Sequence, residues 1–339
     1  HRMMLQLWNL ELCNFAMFKA LRVAVVALSL AVACSGDPTA KYVDNGIPPE
    51  DGFVAAAARG DRDAVRGFLE GGLTVDTRDR HGSTPLMGAA GSGRLEMVET
   101  LIDKGAEVNI TKADGWNALI AAAQAGSERT VRALLDAGAN PDAGNDEGFT
   151  PLMAAAQAGE ATVVTILLDT SASVNVQNKD GWTALMAGIE SGDDDIVSLL
   201  LERGANPNLT NGDGWTPAMA AARGGDHGMV KALRAARADV NAASIDGWTA
   251  LMAAAETGDE EVADALLDGR ADVNAATKDG WTALMGAADG GHESLVRLLV
   301  ERGANVNASS HDRATAATYA ERNGHDEIVN LLRRGARAR

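Results

Sequence analysis

One row of side chains able to bind a metal recurs through the sequence at intervals of 33 residues. It consists of six methionines and one isoleucine: Met87, Ile120, Met153, Met186, Met219, Met252 and Met285. Thioether sulfur binds Cu(I), so such a row could carry copper. Side chains repeated once per packed helix would lie about 10 Å apart, however, which is too far for two sulfurs to share one ion. Because methionine fills irregular gaps in protein cores, the row predicts core packing and no metal site.

Acidic residues and histidines offer a second possible chemistry. Short acidic runs follow a recurring glycine, at Asp193–Asp195, Asp259–Glu261 and Asp326–Glu327. None has the ordered spacing of oxygen ligands that a calcium loop needs, so we expect these carboxylates to stabilise helix N-termini. His292 and His325 also stand beside a recurring glycine, and we expect structural roles for both. The sequence contains no zinc, phosphate-loop or nucleophile-elbow motif, so we predict that the chain is not an enzyme and binds no cofactor.

Six aromatic residues, each directly after a turn glycine, form a second row with the same period: Trp116, Phe149, Trp182, Trp215, Trp248 and Trp281. Tryptophan dominates binding hot spots, so one interpretation is a row that contacts a partner. The alternative is that each ring packs on the neighbouring turn and stiffens the row, and the sequence leaves both open. Eight residues after each of the first five, the residue type varies, which would let these positions discriminate between partners: Gln124, Gln157, Glu190, Arg223 and Glu256.

Two ladders of glycine indicate which elements position these rows. Gly82 to Gly280 recur every 33 residues with Arg313 in the eighth place, and a second ladder runs from Gly93 to Gly324. A fixed period of this length is typical of repeat architectures. In each unit, the dipeptide Asp-Gly predicts a tight turn, a threonine two residues later predicts a helix N-cap, and the second glycine predicts the end of that helix. The spacing V-x-x-L-L after it predicts a second, outer helix.

These units resemble ankyrin repeats, in which a hairpin, an inner helix, a loop and an outer helix follow one another. The resemblance rests on GSTPLMGAAGSGRLEMVETLIDKGAEVN at 82–109 and its successors, and it covers residues from about 50 to 337. It implies an all-α repeat solenoid of helix-turn-helix units joined by short β-hairpin loops. The predicted domain spans 50–339, with an N-terminal half-repeat at about 50–76 and eight repeats, of which the last is a polar cap. Where the family usually has the histidine of TPLH, this chain has the methionine row.

The resemblance also implies a function. Ankyrin hairpin tips and the concave face of the inner helices often contact protein partners, which places the aromatic row and the variable row at the expected interface. The chain has 30 basic against 47 acidic residues, a formal net charge of −17. This charge disfavours nucleic acid and anionic lipid and favours a basic protein partner. We expect the array to be a monomer.

The first 33 residues are predicted to be a signal peptide. Met17 is the expected start, and Lys19 and Arg22 precede an uncharged run of 11 residues, Val23–Ala33, which is too short to span a bilayer. The sequence LAVAC, ending at Cys34, resembles the lipobox of bacterial lipoproteins, which implies cleavage before Cys34 and its lipid modification. The ordinary signal peptidase would cut the same bond, so secretion without a lipid stays an alternative.

The predicted location is therefore the periplasm or the outer membrane, with membrane contact only through the lipid anchor. Residues 34–49 contain Pro, Gly and polar groups and are expected to form a tether. The predicted function is that of an exported scaffold that binds a partner protein. The alternatives are a structural envelope spacer without a specific ligand and, by family analogy only, an immunity-type inhibitor of a toxin.

One repeat is expected to be weaker than the others. In 211–243, Ala218 replaces the usual leucine, Arg234 stands where other repeats have Leu or Ile, and Arg237 replaces a glycine. We predict that this repeat is the least stable segment of the array.

Overall fold

The computed structural model describes residues 37–43 and 46–337, and the predicted signal peptide and Cys34 lie outside the described residues. The described chain consists of a short helix α1 (Ala40–Val43) and nine successive helix pairs. The pairs are α2 (Pro49–Arg59) with α3 (Arg62–Glu70), α4 (Pro85–Gly91) with α5 (Leu95–Asp103), α6 (Ala118–Gln124) with α7 (Glu128–Asp136), α8 (Pro151–Ala158) with α9 (Ala161–Asp169), α10 (Ala184–Ser191) with α11 (Asp194–Glu202), α12 (Pro217–Gly224) with α13 (His227–Ala235), α14 (Ala250–Thr257) with α15 (Glu260–Asp268), α16 (Ala283–Asp289) with α17 (Glu293–Glu301), and α18 (Ala316–Arg322) with α19 (Asp326–Arg337).

The helix pairs stack side by side in two layers. Each even-numbered helix packs on the next even-numbered one, which makes an inner layer, and the odd-numbered helices from α5 onward form an outer layer in the same way. The prediction of an all-helical repeat solenoid is confirmed. The connecting loops in the described residues are tight turns without strands, and isolated β-bridges close three of them: Thr111 with Asn117, Ala276 with Thr282, and Ser309 with Thr315.

The ends of the inner helices follow from residue types in the sequence. At the start of α10, the Thr183 hydroxyl accepts a hydrogen bond from the Met186 N–H at 3.2 Å. The Asn117 side chain does the same for Ile120 at 2.9 Å. At the end of α8, Gly159 adopts φ +75°, which closes the helix without the steric cost that a larger residue would meet. The helix boundaries predicted from threonine and glycine are therefore confirmed.

The core is built from small aliphatic side chains and methionine. Paired alanines such as Ala122 and Ala123 are fully buried, and so are the outer-helix residues Val131 and Leu134. Met153 is 1% exposed, and the rest of the methionine row is buried with it. Burying one such side chain contributes about 1.5–3 kcal/mol, which only the neighbouring repeats make possible. The interpretation of the methionine row as core packing is therefore confirmed.

The turns of successive repeats are joined through their backbones. The Gly212 N–H donates to the Asp180 carbonyl at 2.6 Å, and this is one of six equivalent bonds, which run from the Asp114–Asp146 pair to the Asp279–His311 pair. A Cβ on the turn glycine Gly181, which has φ +78°, would lie 2.8 Å from the Asn211 Cα. Both its conformation and its close contact therefore require glycine. At the equivalent position of the last described turn, Arg313 adopts φ +61°.

A second line of bonds joins the loops that follow the outer helices. Asn175 Oδ1 accepts from the Asn206 N–H at 2.7 Å, and its Nδ2 donates to the Gly204 carbonyl at 3.0 Å. The same two bonds recur at Asn109, Asn208, Asn241 and Asn274. Each asparagine therefore ties its own repeat to the next one.

The N-terminal end differs from the sequence-based expectation. The half-repeat contains both helices of a pair, α2 and α3. Residues 37–43, expected to belong to a tether, pack on this pair instead: Tyr42 is 4% exposed, and its ring centroid lies 6.4 Å from that of Phe68. The tether interpretation is wrong for these residues, because the Tyr42 side chain packs on the first helix pair and covers the end of the array.

The repeat at 211–243 has the same two helices as its neighbours, α12 and α13, and its low stability stays a prediction. Arg237 adopts φ +67° where Gly204 of the preceding repeat has φ +87°. A left-handed conformation costs a non-glycine residue about 1–2 kcal/mol. Ser171 and Arg270 take the equivalent positive φ in two other repeats, so this strain is shared and does not by itself single out the repeat.

Candidate protein-binding surface

The aromatic row stands between each turn and the inner helix that follows it. The Asn178 Oδ1 accepts the Trp182 N–H at 2.8 Å, and the Asn178 N–H donates to the Trp182 carbonyl at 2.9 Å. The same pair of bonds recurs in four other repeats, made by Asn145, Asn211, Ser244 and Thr277. The turn therefore fixes the backbone of five of the six aromatic residues.

All six rings of this row are half-buried. The Trp116 and Phe149 ring centroids lie 6.3 Å apart, and Trp281 meets Tyr319 edge-on at 4.7 Å. The indole nitrogen of Trp281 would lie 3.6 Å from a Cβ placed on Gly286 of its own inner helix. The rings therefore pack on the array and also keep an area that faces solvent, so the geometry accommodates both interpretations of the row.

The variable row lies at or near the C-terminal ends of the inner helices. Gln124, Glu190, Arg223 and Glu256 are exposed, and Gln157 is half-buried. These side chains differ in charge from one repeat to the next, while the helices that carry them all begin at the equivalent position of the repeat. The surface therefore combines a constant aromatic row with a changing polar one.

The two rows meet in the repeat that contains α12. The Arg223 guanidinium carbon lies 5.8 Å from the centre of the Trp215 ring, a distance at which a cation is attracted to the face of an indole. Although the Glu256 side chain as a whole is exposed, desolvation of its carboxylate raises its pKa; Arg223 opposes this rise and Asp289 adds to it. The charges of neighbouring repeats are therefore coupled along this row.

A comparison with known families agrees with this geometry. The family model for ankyrin repeats, which describes three repeats at a time, matches four overlapping stretches, 53–145, 138–211, 191–277 and 269–338. The chain belongs to the ankyrin-repeat family. Ankyrin repeats generally mediate protein–protein interaction, and the family is a non-enzymatic binding scaffold. No curated protein matches the sequence.

Tyr319 belongs to this ankyrin surface and was missed by reasoning from the sequence. It occupies the inner-helix position that Gly286 fills in the preceding repeat. Its hydroxyl lies 3.1 Å from the Ser310 hydroxyl and donates to Asp312 at 3.3 Å, and the Arg322 guanidinium carbon stands 5.5 Å from its ring centre. The sequence did carry a signal, because a large aromatic replaces a small residue at a position of the 33-residue period.

The acidic runs and the histidines serve the ankyrin fold. The Asp193 carboxylate caps α11 by accepting from the Ile196 N–H at 3.0 Å. The His292 Nε2 lies 3.3 Å from the Glu256 carbonyl of the preceding repeat. In the described part of the chain, no group of three or more His, Cys, Asp or Glu side chains is placed to hold a metal ion. Nor does any helix there have the length and apolar character needed to cross a bilayer.

Proposed function

We propose that this ankyrin array is a partner-binding scaffold of the bacterial envelope. It is exported by a signal peptide within residues 1–33 and held to a membrane by a lipid on Cys34. The observation that carries the binding role is the half-buried aromatic row, fixed by its turns and joined to the variable row through Arg223 and Trp215. Rigid aromatic side chains lose little entropy on binding, and the variable row then discriminates between partners.

The charge of the array supports a basic partner. Residues 34–339 contain 27 basic against 46 acidic residues, a net charge of −19. Such a surface attracts a cationic protein, and the rate of their association falls as salt screens the charges.

Site-specific photo-cross-linking in cells tests the binding surface. A photoreactive amino acid at Glu190, on the inner helix α10, is expected to give a discrete protein adduct. The matched control is Ser198, which is exposed on the outer helix α11 of the same repeat and is expected to give none. Equal adducts at both positions, or none at Glu190, would contradict the assignment of the inner-helix face.

Replacing Trp182, Trp215 and Trp248 together by leucine separates a binding scaffold from a structural spacer. A binding role predicts loss of the Glu190 adduct with little change in thermal unfolding, because the rings are half-buried and leucine keeps part of their packing. A spacer role predicts a lower melting temperature and no adduct even from the unaltered protein.

Mass spectrometry of the exported chain tests the anchor. We expect a lipid-modified N-terminal peptide that begins at Cys34, and we expect the protein in the membrane fraction of the cells. The Cys34→Ser variant should lose the lipid, and its release into the soluble fraction would show that the lipid holds the array. An unmodified Cys34 in the exported protein would refute the anchor and leave the binding surface unaffected.

A further inference from the structure

Residues 37–43, called here the strap, dock on the first helix pair. The Tyr42 side chain is buried and its hydroxyl donates to the Asp61 carboxylate at 3.0 Å. The Lys41 Nζ pairs with the same carboxylate at 2.5 Å, and the Asp61 side chain also accepts from the Ala64 N–H at 3.1 Å, which caps α3. One carboxylate therefore ties the strap to the helix that it covers.

Two glycines in the middle of helices show that the helix pair is shaped to receive the strap. A Cβ on Gly52 of α2 would lie 2.9 Å from the Tyr42 carbonyl oxygen. A Cβ on Gly67 of α3 would lie 2.8 Å from the Thr39 Cγ2. Glycine inside a helix is about 0.5–1 kcal/mol less stable than alanine. The sequence therefore has helix-weakening residues at the two places where the strap makes its closest approach.

The charges in this contact favour docking at neutral pH. Burial alone would raise the pKa of Asp61, but hydrogen bonds from Lys41, the Ala64 N–H and Tyr42 outweigh it and lower that pKa. The same pairing raises the pKa of Lys41. Both groups are therefore charged near neutrality, and the ion pair is complete there.

The strap changes how far the array can stand from a lipid on Cys34. Cys34 is three residues before Asp37, where the described strap begins, and a fully extended chain of that length spans at most about 11 Å. Without the strap, the first ordered element would be α2 at Pro49, 15 residues from Cys34, and the chain could reach about 50 Å. Docking therefore shortens the reach of the anchor several-fold.

We infer that the strap holds the N-terminal helix pair, α2 and α3, against the anionic lipid surface, so that the array is attached by one end at short range. This rests on the lipid attachment proposed above. The charge distribution supports it: residues 37–94 contain seven basic and nine acidic residues, whereas residues 95–339 contain 20 basic and 37 acidic. On this pair Arg62 is paired with Glu96 and Arg66 with Asp63. Residues 37–94 therefore have a net charge of only −2, against −17 for residues 95–339, so anionic headgroups repel this end of the array much less than the remaining repeats.

Proteolysis by a lysine-specific protease tests docking. The mature chain, residues 34–339, is expected to be cut after Lys41 at least about tenfold more slowly than a synthetic peptide of residues 35–49, because cleavage requires undocking. Gly52→Ala should accelerate this cleavage, since its Cβ displaces the Tyr42 carbonyl while it favours the helix. Gly224→Ala is the matched control: it also lies in a helix, but a Cβ there meets nothing within 4 Å, so the rate should not change.

Fluorescence quenching then tests the position of the helix pair. Cys34 is the one cysteine of the mature chain, so its thiol can be coupled to a maleimide lipid in vesicles of phosphatidylethanolamine and phosphatidylglycerol that also contain a headgroup spin label. A fluorescent amino acid at Arg62 is expected to be quenched more than one at Lys231 of α13. Gly52→Ala should reduce the quenching at Arg62.

The outcomes separate this inference from the proposed function. Rapid cleavage after Lys41 in the unaltered chain, or equal quenching at Arg62 and Lys231, would overturn the short attachment. Because the coupling to lipid is chemical, neither result depends on lipid modification in cells. Loss of the cellular lipid on Cys34 would instead refute the anchor, even if the strap is docked.

Discussion

The turn glycines make a sharp prediction about the coupling between repeats. In Gly115→Ala, the new Cβ would lie 2.4 Å from the Asp146 backbone nitrogen of the next turn, and the residue would keep φ +81°. Gly82→Ala is the matched control at the equivalent position of another turn, with φ +75° and no neighbouring atom closer than 3.8 Å. Both changes introduce the same left-handed strain, and only one pushes the next turn away.

The expected magnitudes follow from these contacts. Left-handed strain costs alanine about 1–2 kcal/mol at either position. At Gly115 the clash is with backbone atoms, which yield only if the two turns separate and the 2.9 Å hydrogen bond from the Asp146 N–H to the Asp114 carbonyl weakens. Loss of that bond adds about 1 kcal/mol, and lost packing adds to it. We therefore expect Gly115→Ala to lower the free energy of unfolding by about 2–4 kcal/mol in total.

Urea titration followed by far-UV circular dichroism gives the total loss of stability, and hydrogen exchange shows where it occurs. For Gly115→Ala, amides on both sides of the contact between the turns at Gly115 and Gly148 should exchange faster, since each repeat is stabilised by its neighbours. For Gly82→Ala, faster exchange should stay within its own repeat. If the two variants lose equal stability, the turns are not coupled by close backbone contact and the reasoning fails.

Three further predictions concern single sites. Arg237→Gly and Arg270→Gly should each raise the free energy of unfolding by about 0.5–1 kcal/mol in urea titrations, since positive φ costs arginine more than glycine loses in backbone entropy; no gain would contradict the strain. The folded pKa of Asp61 is below its usual 3.8, so its stabilisation of the strap is present above that value and lost as pH falls through the folded pKa. Relative to the intrinsic exchange rate at each pH, the protection of the Tyr42 amide should therefore fall in acid, whereas Asp61→Asn should show low protection at neutral pH as well. Amides of 211–243 should exchange faster than those of the adjacent repeats, and equal protection would refute the predicted weakness.

The repeat fold could be predicted from sequence because its signals are local. Glycine permits positive φ and a threonine hydroxyl caps a helix whatever surrounds them, so the period and the helix ends followed directly. The asparagine bonds, such as Asn175 to Asn206, depend on which loops become neighbours, and that is known only once the repeats are stacked. The strap was missed for a similar reason, since Tyr42 stands among residues typical of a loop and is buried by Phe68, which follows 26 positions later.

The candidate binding surface likewise has features that the sequence predicts and features that depend on how the repeats stack. The period alone placed the aromatic row on six successive repeats and the variable row on five of them, and their role in binding stays a prediction. How far each ring is buried depends on the inner helix beside it, so the half-buried state of Trp182 or Trp248 could not be obtained from the spacing. Tyr319 could not be obtained from the period, because it departs from the residue that recurs at its position, which is glycine or alanine in the other repeats.

The way the turns are joined explains how such departures are tolerated. Adjacent turns are bonded from backbone N–H to backbone carbonyl, so the bond itself does not use the side chain of the donor residue, although Lys179 and His311 also pair through their side chains with Glu147 and Asp279. The identity of the donor residue can therefore change without loss of the bond. The donors are Asp146, Lys179, Gly212, Ile245, Lys278 and His311. Ile245 is 59% exposed at this position, although its N–H still donates to the Asp213 carbonyl at 2.9 Å. The bond between adjacent turns thus depends on the backbone and the turn glycines, which leaves the donor side chains free to vary and, under the proposed function, to match a partner.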